Sequence, residues 1–69
     1  MYTLKRLSTG ETINADELTY TARKTTWVII NDEGKPLVYR DSKSAYIEWY
    51  ERKQAAQNHV DYLNTQVAA

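Results

Sequence analysis

Residues 25–40 carry the clearest structural signal in the sequence, two β-type segments separated by a glycine-containing turn. The first segment, residues 25–31 (TTWVIIN), is rich in β-branched and aromatic residues, which favour strands. Gly34 stands where a three-residue hairpin loop needs a left-handed backbone. The return segment, residues 36–40, begins with Pro36, which has no backbone N–H and therefore favours a strand start or an edge. The sequence predicts an antiparallel hairpin here.

The residues before this hairpin give a less complete picture. Residues 2–7 alternate as in a strand, a turn follows at Gly10, and residues 11–14 are suited to a short return strand. Residues 14–25 show conflicting signals. Their beginning resembles a helix start, whereas an alternation typical of a strand follows in Leu18, Tyr20 and Ala22. The sequence leaves this segment open.

A long helix is predicted for the rest of the chain. No glycine or proline occurs from Lys43 onward, and Asp41 and Ser42 are suitable helix caps. Apolar or partly apolar side chains also recur at intervals of three and four, as on one helix face: Tyr46, Trp49, Lys53, Ala56, Val60, Leu63 and Val67. This pattern predicts one helix over about residues 42–67.

These elements together predict an α+β fold in a single domain, residues 1–69. Residues 1–41 would form a small antiparallel sheet of three to four strands, packed by the one long C-terminal helix. A chain of 69 residues hides only about 60–65% of its unfolded surface, so its stability is marginal without a disulfide, a metal or a partner. The chain has no cysteine and one histidine, which excludes a disulfide framework and a zinc or iron–sulfur cluster. We therefore expect a partner, and no metal or cofactor.

The sequence offers no set of residues for catalysis. His59 is the only imidazole, and its neighbours on the predicted helix face supply neither a metal ligand nor an orienting carboxylate, so we interpret it as a surface histidine. Glu48 and Glu51 are three residues apart on the predicted helix, which is an ordinary arrangement of solvated charge. We expect a protein that is not an enzyme and has no small-molecule substrate.

The length of the predicted helix indicates an association surface. A helix over residues 42–67 would be about 38 Å long, whereas five-residue strands extend only about 17 Å. The second half of the helix would therefore pass beyond the sheet while its apolar stripe continues. Either this end frays, or a partner or a second copy covers it. The surface would comprise Val60, Leu63, Val67, Tyr62 and Tyr50.

The aromatic residues divide into core and surface candidates. Trp27, Trp49 and Tyr46 are expected in the core, whereas the better surface candidates are Tyr20, Tyr50 and Tyr62. Both faces of the predicted hairpin over residues 25–40 are apolar. Because one helix covers only one face, the other face needs residues 14–25, a second protomer or a foreign partner.

Nucleic acid is the alternative partner. Basic pairs recur along the chain between aromatic residues, and this combination can bind backbones and stack on bases. The candidate residues are Lys5, Arg23, Lys24, Tyr20, Arg40 and Lys43. However, 9 basic residues are balanced by 9 acidic ones, so no overall positive field attracts phosphates.

The order of features over residues 27–52 is similar in outline to the small DNA-binding domains at the front of some phage and transposon integrases, which consist of a three-stranded sheet and a helix. The shared features are a tryptophan, an alternating strand, a glycine-containing turn, a second strand, Ser-Lys-Ser-Ala and an aromatic helix. The resemblance implies a DNA-binding surface of sheet plus helix. The strong positive charge of those domains is missing from this chain.

The function we expect is that of a small interaction module. We interpret the chain as a bacterial or phage accessory protein that binds or inhibits a macromolecular protein partner, as a homodimer. The alternative is a small DNA-associated regulator. No apolar run approaches the roughly 20 residues that cross a bilayer, and residues 1–5 lead directly into charge, so we expect a cytoplasmic protein without membrane contact.

Overall fold

The computed structural model describes the backbone of residues 1–67 and the side chains of residues 1–66. Within this part of the chain, six strands form three two-stranded antiparallel sheets, and one helix follows them. The predicted α+β class is confirmed, whereas the predicted number of sheets and strands was wrong. The pairs are β1 (Thr3–Leu7) with β4 (Thr26–Ile30), β2 (Thr12–Ala15) with β3 (Leu18–Thr21), and β5 (Val38–Arg40) with β6 (Ala45–Ile47), and the helix is α1 (Lys53–Val67).

Strand β4 lies at the centre of the fold, since Val28 on one face and Ile29 on the other are both fully buried. Helix α1 packs on β1 and β4 and buries Ala56 and Val60 against them. On the same side, the Lys53 ammonium lies 5.4 Å from the centre of the Trp27 ring, a cation–π contact. The helix therefore covers one face of β4 as predicted, but through the half that was predicted to extend beyond the sheet.

The other face of β4 is covered by the chain itself. Val28 belongs to a buried cluster with side chains from the rest of the β-structure: Leu7, Ile13, Ala15, Ala22 and Ile47. Residues 14–25, which the sequence leaves open, contribute to it as the end of β2, a turn with Asp16 at the left-handed φ of 54°, strand β3 and Ala22. Of the three alternatives for covering this face, residues 14–25 take part, together with Ile13 and Ile47 from outside that segment.

The predicted hairpin over residues 25–40 forms only in part. Gly34 adopts the expected positive φ of 81°, and the Leu37 N–H donates to the Ile29 carbonyl at 2.8 Å. Beyond this point β5 leaves β4 and pairs with β6. The remaining length of the β4 edge is occupied by Tyr50, whose N–H and carbonyl both bond to Trp27 at 2.8 Å. Two short segments therefore share one edge of β4.

The predicted start of the helix near residue 42 was wrong, and so was the limit of the sheet at residue 41. Asp41 caps a turn instead of a helix, because its Oδ1 accepts the backbone N–H groups of Lys43 at 2.8 Å and Ser44 at 2.6 Å. These bonds hold the pKa of the Asp41 carboxyl below its usual value. The next residues pair with β5 as strand β6, and this tertiary pairing overrides their helix propensity.

The shortened helix greatly reduces the length mismatch with the sheet. Helix α1 has 15 residues, which corresponds to about 22 Å. The aromatic helix in the outline resemblance to integrase domains is likewise replaced, over residues 45–47, by β6. Within the described residues, no helix is long and apolar enough to span a membrane.

Asn64 attaches the distal part of α1 to the start of the sheet. Its side-chain Oδ1 accepts the Tyr2 backbone N–H at 2.8 Å, and its Nδ2 donates to the Tyr2 carbonyl at 3.0 Å. Both bonds are partly buried, so water replaces them incompletely when the side chain is removed. This double contact fixes the helix against β1.

Asn64→Ala is expected to lower the free energy of unfolding by about 1–2 kcal/mol, because it leaves both Tyr2 backbone groups without their partner. Urea denaturation followed by circular dichroism measures this change. Asn58→Ala is the matched control, since Asn58 is exposed and, within the described residues, its side chain accepts only from Gln54, one turn earlier, at 2.9 Å. Equal destabilisation by the two substitutions would contradict the attachment role of Asn64.

Candidate functional site

Four aromatic side chains lie together on the surface around β3, β5, β6 and the residues after β6. The Trp49 ring stacks on Tyr20, with centroids 5.7 Å apart and planes 14° apart. The Tyr39 and Tyr46 rings stack at 5.0 Å and 28°. Trp49 is 42% exposed and Tyr46 is 50% exposed. We call Tyr20, Tyr39, Tyr46 and Trp49 the aromatic face.

Backbone pairing explains why Trp49 is directed outward. The Glu48 N–H donates to the Leu37 carbonyl at 3.0 Å, and the Tyr50 N–H donates to the Trp27 carbonyl at 2.8 Å. Trp49 thus lies between two anchored residues. Adjacent side chains on an extended segment point to opposite sides. Because Tyr50 turns toward α1, Trp49 faces the solvent.

Trp49 forms a ridge between two clefts of opposite charge. The first, which we call the basic cleft, has a volume of about 290 Å³ and is lined by Tyr20, Thr21, Arg23, Lys24, Thr26 and Trp49. The second, the acidic cleft, has a volume of about 410 Å³ and is lined by Tyr46, Glu48, Trp49 and Tyr50. A ligand that lies across Trp49 would meet positive charge on one side and negative charge on the other.

The basic cleft contains a buried hydroxyl without a partner. Thr26 is 1% exposed, and its Oγ1 has no hydrogen-bond partner among the described residues. Buried side-chain polar atoms are normally bonded, so this atom calls for an explanation. At the rim, the Lys24 ammonium lies 2.9 Å from a Glu51 carboxylate oxygen, and more than half of each side chain is exposed. Arg23 has no ion-pair partner in the described part of the chain.

Tyr50 connects the acidic cleft to the helix. Its hydroxyl forms a hydrogen bond with the His59 Nδ1, and the two rings meet edge to face with centroids 5.9 Å apart. Burial raises the pKa of the Tyr50 hydroxyl, and the nearby Glu48 charge adds to the effect. His59 is thus half-buried against Tyr50, in contrast to the surface histidine that the sequence suggested. In residues 1–67, no group of three or more His, Cys, Asp or Glu side chains could hold a metal ion.

The predicted association surface on the distal helix does not form as expected. Val60 is only 4% exposed within the chain itself, so its inclusion in a partner surface was wrong. Leu63 is half-buried, Tyr62 is 60% exposed, and Tyr50 lies in the acidic cleft. The Val67 side chain lies outside the described residues. The exposed apolar stripe on which this prediction depended is therefore interrupted at Val60.

The candidate nucleic-acid residues are only partly brought together. Tyr20, Arg23 and Lys24 line the basic cleft. The Arg40 guanidinium instead lies 3.6 Å from an Asp16 carboxylate oxygen. Lys5 is in β1, and Lys43 is in the β5–β6 turn.

The exposure of the aromatic face was not predicted from the sequence. Trp49 and Tyr46 were expected in the core as part of a helical stripe, and this was wrong because the stripe is interrupted by β6. Trp27 is half-buried against Lys53. The signal that was available was the preference for Trp and Tyr over Phe, since the chain has six Tyr, two Trp and no Phe.

No protein-family model, no curated protein and no solved structure matches the chain.

Proposed function

We propose that the chain is a non-enzymatic module that binds another protein through the aromatic face. The observation that supports this most is Trp49, which is 42% exposed on a ridge between two clefts. Large aromatic side chains are normally hidden where they can be, and Trp and Tyr are the residues most enriched in interface hot spots. An exposed, stacked tryptophan between two residues with bonded backbones is suited to insert into, or be covered by, a partner.

The arrangement of charge favours a polypeptide partner over a nucleic acid. Arg23 and Lys24 line one side of the ridge, whereas Glu48 lines the other. A phosphate backbone is negative along its whole length and would be repelled at the acidic cleft. A polypeptide can present both signs of charge. The balanced total of 9 basic and 9 acidic residues favours the same partner class.

Within this proposal, the chain acts as an accessory protein that engages or inhibits its partner. We place the interaction in the cytoplasm, because a cysteine-free sequence suits a reducing compartment.

The alternative, a DNA-associated regulator, is supported by the convergence of Tyr20, Arg23 and Lys24 on one cleft. Self-association through the distal helix has lost its main support, because the helix is much shorter than predicted and Val60 is buried within the chain.

Trp49→Ala is expected to weaken binding of the partner at least about 30-fold, the effect of removing a hot-spot residue. The fold should be retained, since this side chain is partly in solvent. The measurement is affinity capture from the source organism, followed by titration of the identified partner. The matched control is Tyr62→Ala, which removes a more exposed aromatic side chain from α1, at 60% exposure, outside the aromatic face.

Two results would overturn the proposal. In the first, Tyr62→Ala abolishes capture while Trp49→Ala retains it, which would return the binding surface to the helix. In the second, the captured material is nucleic acid, with a steep salt dependence that is lost on joint substitution of Arg23 and Lys24 by Ala. The second result would establish the DNA-associated alternative.

A further inference from the structure

We infer that the basic cleft receives an acidic side chain of an extended peptide, while an apolar side chain of the same peptide packs on Trp49. This inference rests on the proposed function and names the chemistry of the partner segment. It combines three features of the cleft: its charge, its unpartnered hydroxyl and its aromatic wall.

The charge of the cleft fits one carboxylate. Arg23 and Lys24 contribute two positive charges, and the Glu51 carboxylate beside Lys24 removes one, which leaves one. An Asp or Glu side chain carries one negative charge, whereas a phosphorylated side chain carries about 1.5 to 2 at neutral pH. A carboxylate therefore neutralises the cleft, and a phosphate would exceed it. Arg23 has no competing ion pair among the described residues and is the main cation for this contact.

The unpartnered Thr26 hydroxyl lies beneath the floor of the same cleft. Thr26 lines the cleft, and its Oγ1 is buried without a hydrogen-bond partner in the described part of the chain. A hydroxyl can donate one hydrogen bond, and a carboxylate only accepts. Because this Oγ1 is closed to solvent, a carboxylate would reach it only if the side chains over it move on binding, and it would then supply the acceptor that the Thr26 hydroxyl lacks.

The aromatic wall of the cleft, Tyr20 and Trp49, is the reason that we expect an apolar side chain in the peptide. Because Trp49 and Tyr20 are stacked on each other, a planar base cannot be held between them, and the exposed part of Trp49 is open to a side chain. Alternate side chains of an extended peptide lie on the same side, about 6.5–7 Å apart. The cleft volume of about 290 Å³ is at the lower end for ligand sites, which suits one or two side chains.

The test is an NMR titration of the full chain with short blocked peptides of Gly and Ser that carry an Asp and, two positions later, a Leu. The chain has two tryptophans, so the Trp27 indole N–H serves as an internal reference for the Trp49 indole N–H. We expect the Asp peptide to shift the Trp49 resonance and leave that of Trp27 in place. A peptide with Asn in place of Asp should bind about tenfold more weakly. A phosphoserine peptide and oligothymidylate are the competing probes.

Two variants test whether the peptide carboxylate binds in the cleft. Arg23→Gln should weaken binding of the Asp peptide about tenfold and leave binding of the Asn peptide unchanged. The effect of this substitution and the effect of Asn in the peptide are then not additive. Thr26→Val should weaken the Asp peptide while thermal unfolding stays the same or improves, because the Thr26 hydroxyl has no partner to lose. Lys43→Gln removes a positive charge from the β5–β6 turn, outside the cleft, and is the control for a general charge effect.

The inference is overturned if the Asn peptide binds as tightly as the Asp peptide, if Arg23→Gln leaves Asp-peptide binding intact, or if no peptide shifts Trp49. If the phosphoserine peptide binds more tightly than the Asp peptide, the cleft takes a phosphate and not a carboxylate. If only oligothymidylate shifts the Trp49 resonance, the ligand is nucleic acid. These outcomes are separable from the proposed function, because partner capture that still depends on Trp49 would leave the aromatic face as the binding surface.

Discussion

Val60→Asp is expected to unfold the chain, which circular dichroism and NMR would show as loss of both helix and sheet signals. Val60 is 4% exposed, where α1 covers β1 and β4. Burying an unpaired carboxylate in such a place costs several kcal/mol. The whole stability of 69 residues is on the order of 3–10 kcal/mol, at roughly 0.05–0.15 kcal/mol per residue. One substitution therefore removes most or all of it.

Tyr62→Asp is the control, because Tyr62 is two residues away on the same helix and 60% exposed. It should leave the free energy of unfolding within about 0.5 kcal/mol of the original. Comparing the two substitutions shows whether α1 stabilises the fold or forms an association surface. A Val60→Asp chain that stays folded but changes from dimer to monomer in sedimentation would restore the association surface on the distal helix.

The elements that could be predicted are those with local signals. Strand β4 follows from its β-branched residues, and the turn at Gly34 follows from the need for a positive φ, which the structure shows at 81°. The distal helix follows from its periodicity and from the lack of Gly and Pro. In each case a few neighbouring residues determine the conformation, so a single sequence is sufficient.

Strand β6 could not be predicted because its reason is not local. Ala45, Tyr46 and Ile47 occur in a run of helix-compatible residues, and they form a strand because they pair with β5. Asp is a common helix-capping residue, but here the Asp41 carboxylate closes the turn that allows β6 to pair with β5. Because β6 takes the place of the first part of the predicted helix, α1 is shorter than predicted. The predicted association surface, which depended on the helix length, therefore loses its basis.

The candidate site was even less accessible from the sequence than the fold. Tyr20 and Trp49 meet because β3 lies beside β6, and the two residues are far apart in the chain. The contact of Tyr50 with His59 requires the chain to turn between β6 and α1. Arg23 and Lys24 were recognised as a basic pair, but the missing partner of the Thr26 hydroxyl is a property of packing alone.

Leu7→Ala is expected to lower the free energy of unfolding by about 2–5 kcal/mol, the usual cost of a buried Leu-to-Ala cavity. Leu7 is 1% exposed, and it belongs to the cluster that joins β1, β2, β4 and β6. It also lies directly opposite Thr26 in the β1–β4 register. The cavity would therefore open beside a residue that lines the basic cleft. Urea denaturation measures the stability, and the Trp49 indole resonance shows whether the cleft rearranges.

Leu4→Ala provides the matched comparison, with the same substitution on the same strand at a half-buried position opposite Ile29. Because less apolar surface is lost to water at Leu4, its cost should be clearly smaller than that at Leu7. Leu4 also lies on the helix side of β1, away from Thr26, so the Trp49 resonance should not move. If both substitutions destabilise equally and only Leu4→Ala disturbs Trp49, then the cluster around Val28 does not support the basic cleft, and the helix side of the sheet does.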